Sequence, residues 1–182
     1  DDQKLRMIDY YFNSPPVNEE NVSKGGSEDG TDHPFTFAVV FDFRSQVERK
    51  NPFAPIRAFL DAFPLEDEHA FNYRLVVKAH SGTDHEVKKL KAIAKEDPRI
   101  IVINRILSDA ENAAFHSRQD CYMSLHRSEG YGLNILESMG SGIPTITTNY
   151  SGNVDLYKAI PDSLIGKCHF PIPYKLVELE QN

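Results

Sequence analysis

Five short apolar runs, each followed by a segment of helical length, constrain this chain more than any other feature. They lie at 35–41, 73–79, 100–103, 121–125 and 145–148, and residues 164–172 offer a sixth. The first run, FTFAVVF, is apolar, aromatic and β-branched without alternation, as expected of a strand covered on both faces. Asn51 as cap and Pro52 at the first helical position open a helix whose buried stripe is Phe53, Ile56, Phe59, Leu60 and Phe63. Asp84 caps a second helix through Ala94, and Asp97-Pro98 ends it. Ser108 with Glu111 three residues later forms a capping box for a third, running to Ser117. Strands alternating with helices of this length predict an α/β fold, a doubly wound parallel sheet of Rossmann-like type. The expected strand order is 3-2-1-4-5-6, with ligand at the carboxyl ends of strands one and four.

The 182 residues suffice for one well-buried domain. The expected division is an N-terminal segment and flexible linker, 1–34, and a globular domain, 35–182. Residues 13–33 are almost wholly polar, Gly and Pro, a composition that cannot offset its ordering entropy. A net charge of −7 argues against nucleic acid or anionic membranes as main partners. No apolar run approaches the ~20 residues of a membrane span, and the acidic beginning is not that of a signal peptide. Cys121 and Cys168 are the only cysteines, each in an apolar run, so buried free thiols and a reducing, cytoplasmic setting are expected. The Asn21-Val22-Ser23 triplet reads as a chance match to a glycosylation acceptor. The histidines show no metal-ligand spacing.

The chemistry concentrates in 121–153, CYMSLHRSEGYGLNILESMGSGIPTITTNYSGN. A strand leads into a turn of Ser128, Glu129, Gly130, Tyr131 and Gly132, then into a helix carrying Glu137 and Met139 that Gly142-Ile143-Pro144 stops. Helix N-terminal amides with the positive end of the helix dipole form an anion site. Gly130 and Gly132 leave room for a phosphate and permit positive φ. Glu129 and Glu137, eight positions apart, could stand roughly 10 Å apart at helical rise. That separation suits hydroxyl-bearing groups on either side of a diphosphate, since a carboxylate accepts strongly from hydroxyls. The pattern predicts a nucleotide sugar. No strand–GxGxxG–helix fingerprint and no P-loop accompany it.

This string resembles the signature of retaining, family-4-type glycosyltransferases of the GT-B fold. They carry E-x7-E within an SEGFGL-type motif, followed by E-[AS]-M-x-x-G-x-P-x-[IV]. Ser128, Glu129, Gly130, Tyr131, Gly132, Leu133, Glu137, Ser138, Met139, Gly142, Pro144 and Ile146 occupy those places, with Tyr131 standing where Phe is usual. The resemblance covers roughly 35–175 and implies the C-terminal, donor-binding half of a GT-B fold. The acceptor-binding N-terminal domain and the final helices are then expected elsewhere in a longer enzyme. It further implies a hexosyl-type glycosyltransferase of polysaccharide or glycoconjugate biosynthesis, transferring sugar with retention. The partners are a nucleotide sugar donor and the missing N-terminal domain, which alone would touch a membrane; the fragment is expected to be inactive by itself.

The implied roles fall on matched positions. Arg44, after the first strand, and Lys50, six residues later, would neutralise the donor diphosphate; Arg49, beside Lys50, is a further candidate. Glu129 would hold donor-sugar hydroxyls near the reacting carbon. These three, Glu129, Arg44 and Lys50, are the catalytic candidates. Gly130, Tyr131, Gly132 and Leu133 would line the diphosphate, Glu137 would take the ribose, and Arg105 and Ile106 would border the base. No metal and no cofactor are expected. Lys78, His126 and residues 149–153 are weaker candidates for the same mouth. The alternatives are a GT-B relative that is not a transferase, such as a nucleotide-sugar epimerase, and a non-catalytic nucleotide- or glycan-binding module.

Overall fold

A computed structural model describes residues 33–178; the segment 1–12, nearly all of the expected linker and the Asn21 triplet lie outside the described residues. The strands are β1 (Phe35–Asp42), β2 (Tyr73–His80), β3 (Ile100–Asn104), β4 (Cys121–Ser124), β5 (Thr145–Thr148) and β6 (His169–Ile172). The α-helices are α1 (Val47–Lys50), α2 (Phe53–Ala62), α3 (Asp84–Glu96), α4 (Asp109–His116), α5 (Leu133–Gly140) and α6 (Val154–Tyr157). One six-stranded sheet has the order β3-β2-β1-β4-β5-β6, all pairings parallel, as the alternation predicts.

Period-two alternation divides the core between the two faces of the sheet. Val39 and Phe41 of β1 pack with Ile56 and Phe59 of α2 and Leu90 of α3. Their neighbours Ala38 of β1 and Val76 of β2 pack with Phe115 of α4, Ile135 of α5 and Leu156 of α6. Phe59 and Phe115 are at most 2 % exposed, and burying each contributes about 2–3 kcal/mol. Beside α2 the first face also carries an open apolar cleft of about 350 Å³, reaching across to Met123, Ile146 and Ile172.

Sequential strand order reverses between β1 and β4, which pair at Phe37–Cys121 and Ala38–Tyr122. The connections leaving these two strands therefore start side by side at the carboxyl edge, where open α/β sheets bind ligands. The connection after β1 departs from expectation. It turns through a 3-10 segment, Phe43–Ser45, and a single-turn α1 before α2 begins. Asn51 does not cap α2: it ends α1 in the left-handed conformation (φ 48°), and Pro52 precedes the first residue of α2. Asn tolerates that conformation better than other non-glycine residues, and its side-chain amide donates to the Leu125 carbonyl at 2.8 Å. Two further boundaries move. Thr83, not Asp84, caps α3, in a reciprocal box with Glu86, because Thr83 keeps extended dihedrals while Asp84 is already helical. The sixth strand is confined to His169–Ile172. Cys121 is buried as expected, whereas Cys168 is only partly so; both thiols are free.

Candidate functional site

The α1 turn and the loop after β4 are stitched together by side chains from both. Arg127 N–H donates to the Arg49 carbonyl at 2.8 Å, and its guanidinium donates to the Glu48 carbonyl. In return the Arg49 guanidinium donates to the Ser128 carbonyl at 2.9 Å. With the Asn51 amide on Leu125, these bonds consume backbone carbonyls that neither segment pairs internally. They fix α1 against residues 125–129.

At the centre of this seam Lys50 Nζ lies 2.5 Å from Glu129 Oε2, the two side chains being 16 % and 12 % exposed. Arg49 stands 3.6 Å from the other carboxylate oxygen, which also accepts from Gly130 N–H at 3.1 Å. Burial pushes the Glu129 carboxyl up, but the Lys50 hydrogen bond and charge, the Gly130 amide and Arg49 together outweigh it, leaving the group below its ordinary value. Glu129 is thus ionised and held from three directions.

A cavity of about 240 Å³ opens between Lys50, Glu129, Tyr131 and the first turn of α5, with Tyr122 also lining it. Gly132 begins α5 with φ 86° and no side chain caps it. The first amides of any helix lack intrahelical partners, so those of Leu133, Asn134 and Ile135 belong to residues that wall the cavity. Positive φ is needed at Gly132 alone; Gly130 does not share it. A side chain at Gly130 would meet nothing within 4 Å; its N–H is given to Glu129 and it is not part of the cavity wall.

The sequence candidates divide. Lys50, Glu129, Tyr131, Gly132 and Leu133 come together around the cavity. Arg44 sits on the 3-10 turn of the same connection, exposed. Its N–H donates to Asp42, while its guanidinium takes no part in the ion-pair cluster. Glu137 lies on α5, exposed, outside the cavity wall. Its charge acts on Lys78, whose ammonium burial lowers in pKa and Glu137 partly restores, and likewise on the buried-lowered His116. Lys78 donates to Asn112 Oδ1 at 2.5 Å. Arg105 forks onto Glu111, which holds that carboxyl down at about 2 with help from Ser108. Ile106 is 82 % exposed. Neither lines the cavity. Among the described residues no three His, Cys, Asp or Glu side chains gather as a metal site, and no helix is long and apolar enough to cross a membrane.

One residue escaped the sequence reading, and another, Ser151, was read only as a weak candidate within the run 149–153. Tyr122, 2 % exposed, contributes to the cavity wall from inside the core. Burial raises its phenol pKa, and the charges of Glu129 and Glu137 raise it further, so both carboxylates act on this ring. A tyrosine inside an otherwise apolar strand was the available signal, because a buried phenol needs a polar neighbour. Ser151 holds the Glu129 backbone: its hydroxyl donates to the Glu129 carbonyl at 2.5 Å and accepts from the Glu129 N–H at 3.0 Å.

Comparison with known proteins bears on the fold and the family. Among solved structures, the pneumococcal O-GlcNAc transferase GtfA in complex with UDP and GlcNAc superposes with a TM-score of 0.57 at 19 % identity, over 78 % of this chain and 25 % of that one. WaaG, a glycosyltransferase involved in lipopolysaccharide biosynthesis, does so with 0.57 at 17 % identity, over 77 % and 34 %. These likenesses show the fold, a Rossmann-like domain of GT-B type. By sequence, the alpha-monoglucosyldiacylglycerol synthase of Streptococcus pneumoniae is 28 % identical over 163 residues, 87 % of this chain and 34 % of the relative. The O-antigen biosynthesis glycosyltransferase WclY of Escherichia coli is 33 % identical over 93 residues, 51 % and 25 % respectively. The chain thus spans about a third or a quarter of the length of these relatives. The family model described as glycosyl transferases group 1 matches residues 46–161, well over half of the chain and the whole stretch from α1 to α6. The chain belongs to the glycosyl transferases group 1 family.

Proposed function

We propose that this domain binds the donor of a glycosyltransferase, a nucleotide diphosphate sugar, and that the sugar passes to the acceptor with retention of configuration. The observation that carries this reading is the cavity between an uncapped helix start and the Lys50–Glu129 pair. The diphosphate would lie between the α5 amides and Lys50, with Arg44 closing over it from the exposed turn. Its charge grows as the bond from the sugar's anomeric carbon to the phosphate oxygen breaks and the electron pair stays on that oxygen. A preorganised cation and helix dipole stabilise that growth. Glu129 would then hold sugar hydroxyls and fix the reacting carbon, while the acceptor hydroxyl oxygen bonds to the face the leaving group vacated and its proton passes to the departing phosphate oxygen. Glu137, its carboxylate without a hydrogen-bond partner among the described residues, would take the ribose hydroxyls, and Arg105 with Ile106 would border the base.

In this reading Lys50, Arg44 and the helix start do the neutralising, without a metal or cofactor. A second domain supplies the acceptor, so the fragment binds nucleotide without turning over. The enzyme works in the cytoplasm on glycoconjugate synthesis and moves a hexose. Calorimetric titration with UDP, GDP and ADP tests the reading. Binding of one of them, weakened in Glu137→Ala, supports it; no heat with any at millimolar concentration refutes it.

A further inference from the structure

The loop between β5 and α6 clamps the backbone of Glu129, whose side chain meets Lys50. Besides the two Ser151 bonds, Gly152 N–H donates to the same Glu129 carbonyl at 3.0 Å. Gly152 is pressed so closely on the turn that a Cβ there would lie 1.6 Å from the Gly130 carbonyl oxygen. Ser151 accepts a left-handed backbone, φ 78°, to reach this position. Strain of that kind costs about 1–3 kcal/mol and persists only where the surroundings enforce it.

What enforces it is a polar pair sealed beneath the loop. Asn153 is 0 % exposed and His126 is 1 % exposed. His126 Nε2 stands 2.9 Å from Asn153 Oδ1 and 3.3 Å from the Tyr150 carbonyl, and Nδ1 stands 3.1 Å from the Ser124 carbonyl. Nδ1 also faces the Ser124 hydroxyl at 3.1 Å. The Asn153 amide donates to the Thr148 carbonyl at 2.9 Å and to the Tyr157 hydroxyl at 2.5 Å. His126 precedes Glu129 by three residues, and Asn153 follows Ser151 by two. The pair therefore bolts the loop after β5 to the loop after β4 beside the Glu129 contacts. An unmatched polar atom at this depth would be costly, and the Asn153 side chain is matched at both of its ends.

We infer that His126, Asn153 and Ser151 are positioning residues that set where Glu129 stands, and so govern recognition of the sugar end of the donor while leaving the nucleotide end untouched. This rests on the donor reading above. Its test is the difference in affinity between a nucleotide sugar and the bare nucleoside diphosphate, measured by calorimetry on the wild-type chain with UDP-glucose and UDP, GDP-mannose and GDP, and ADP-glucose and ADP. Ser151→Gly removes the hydroxyl and relieves the positive φ together, and His126→Gln addresses the buried pair should the first variant melt early. The expected result is unchanged affinity for the diphosphate, within about twofold, with the sugar's share of affinity reduced about tenfold. A folded variant that keeps the sugar's share, or loses both affinities equally, overturns the inference. A wild-type chain that binds a diphosphate and gains nothing from the sugar overturns it too. A wild-type chain that binds none of the six ligands instead sinks the donor reading itself.

Discussion

Replacing Lys50 by Met keeps the aliphatic stem and removes the charge from the centre of the site. The Glu129 carboxylate, 12 % exposed, then loses its 2.5 Å partner but keeps the Gly130 amide at 3.1 Å and Arg49 at 3.6 Å. Removing one member of a fully buried pair costs ~3–5 kcal/mol. The remaining contacts and the residual exposure reduce that here to about 2 kcal/mol. For a domain of this size that corresponds to a melting temperature lower by about 4–8 °C. A double-mutant cycle with Glu129→Gln, read by urea denaturation, should return a coupling of about the same size. The pH dependence has a defined sign. Glu129 titrates below its ordinary 4.5 in the folded chain, so its contribution is present above that pH and fades as pH falls through the folded value. Wild-type and Lys50→Met stabilities should therefore differ at neutral pH and converge on acidification. Additive single mutants, or a stability gap that stays constant with pH, would refute the idea that this ion pair organises the seam.

Three other outcomes follow from separate features. Glu137→Ala should weaken nucleoside diphosphate binding about 10- to 100-fold, because hydrogen bonds to a charged group are lost; melting should stay unchanged, since the carboxylate is exposed. Gly152→Ala drives a Cβ into the Gly130 carbonyl and should cost more than about 3 kcal/mol in urea denaturation, through strain that only backbone movement relieves. Phe59→Ala, at a site 2 % exposed between α2 and the sheet, should cost ~3–5 kcal/mol in the same assay without changing ligand affinity.

Strand order and both layers of the core were legible because period and turn chemistry agree along most of the chain. The run 35–41 could only be a covered strand, and Ser108 with Glu111 could only begin a helix. The connection after β1 was not legible. Asn51-Pro52 has the form of a helix start, yet the Asn51 side chain gains more from the distant Leu125 carbonyl than from capping α2. No local pattern reports a partner 74 positions away. The candidate site shows the same split. Lys50 and Glu129 are adjacent in space as their motifs imply, and Tyr131, Gly132 and Leu133 join them. Arg44 and Glu137 are exposed and stand apart from the cavity wall. Tyr122 went unread because it looks like core, and the contact of Ser151 with the Glu129 backbone could not be read because residues 149–153 look like loop until the sheet brings them to the turn.

Tyr122 has a practical consequence. The chain has no tryptophan and eight tyrosines, so its near-ultraviolet emission comes from phenols alone, with no stronger fluorophore to drain it. One of these rings borders the cavity from the sealed interior and another, Tyr131, stands 54 % exposed at its rim. A carboxylate drawn away from the inner ring, or a base or sugar laid over the outer one, would alter that emission. Under the donor reading, titration of the unlabelled protein with a nucleotide sugar should change that emission, and Tyr122→Phe with Tyr131→Phe would apportion the signal between depth and rim.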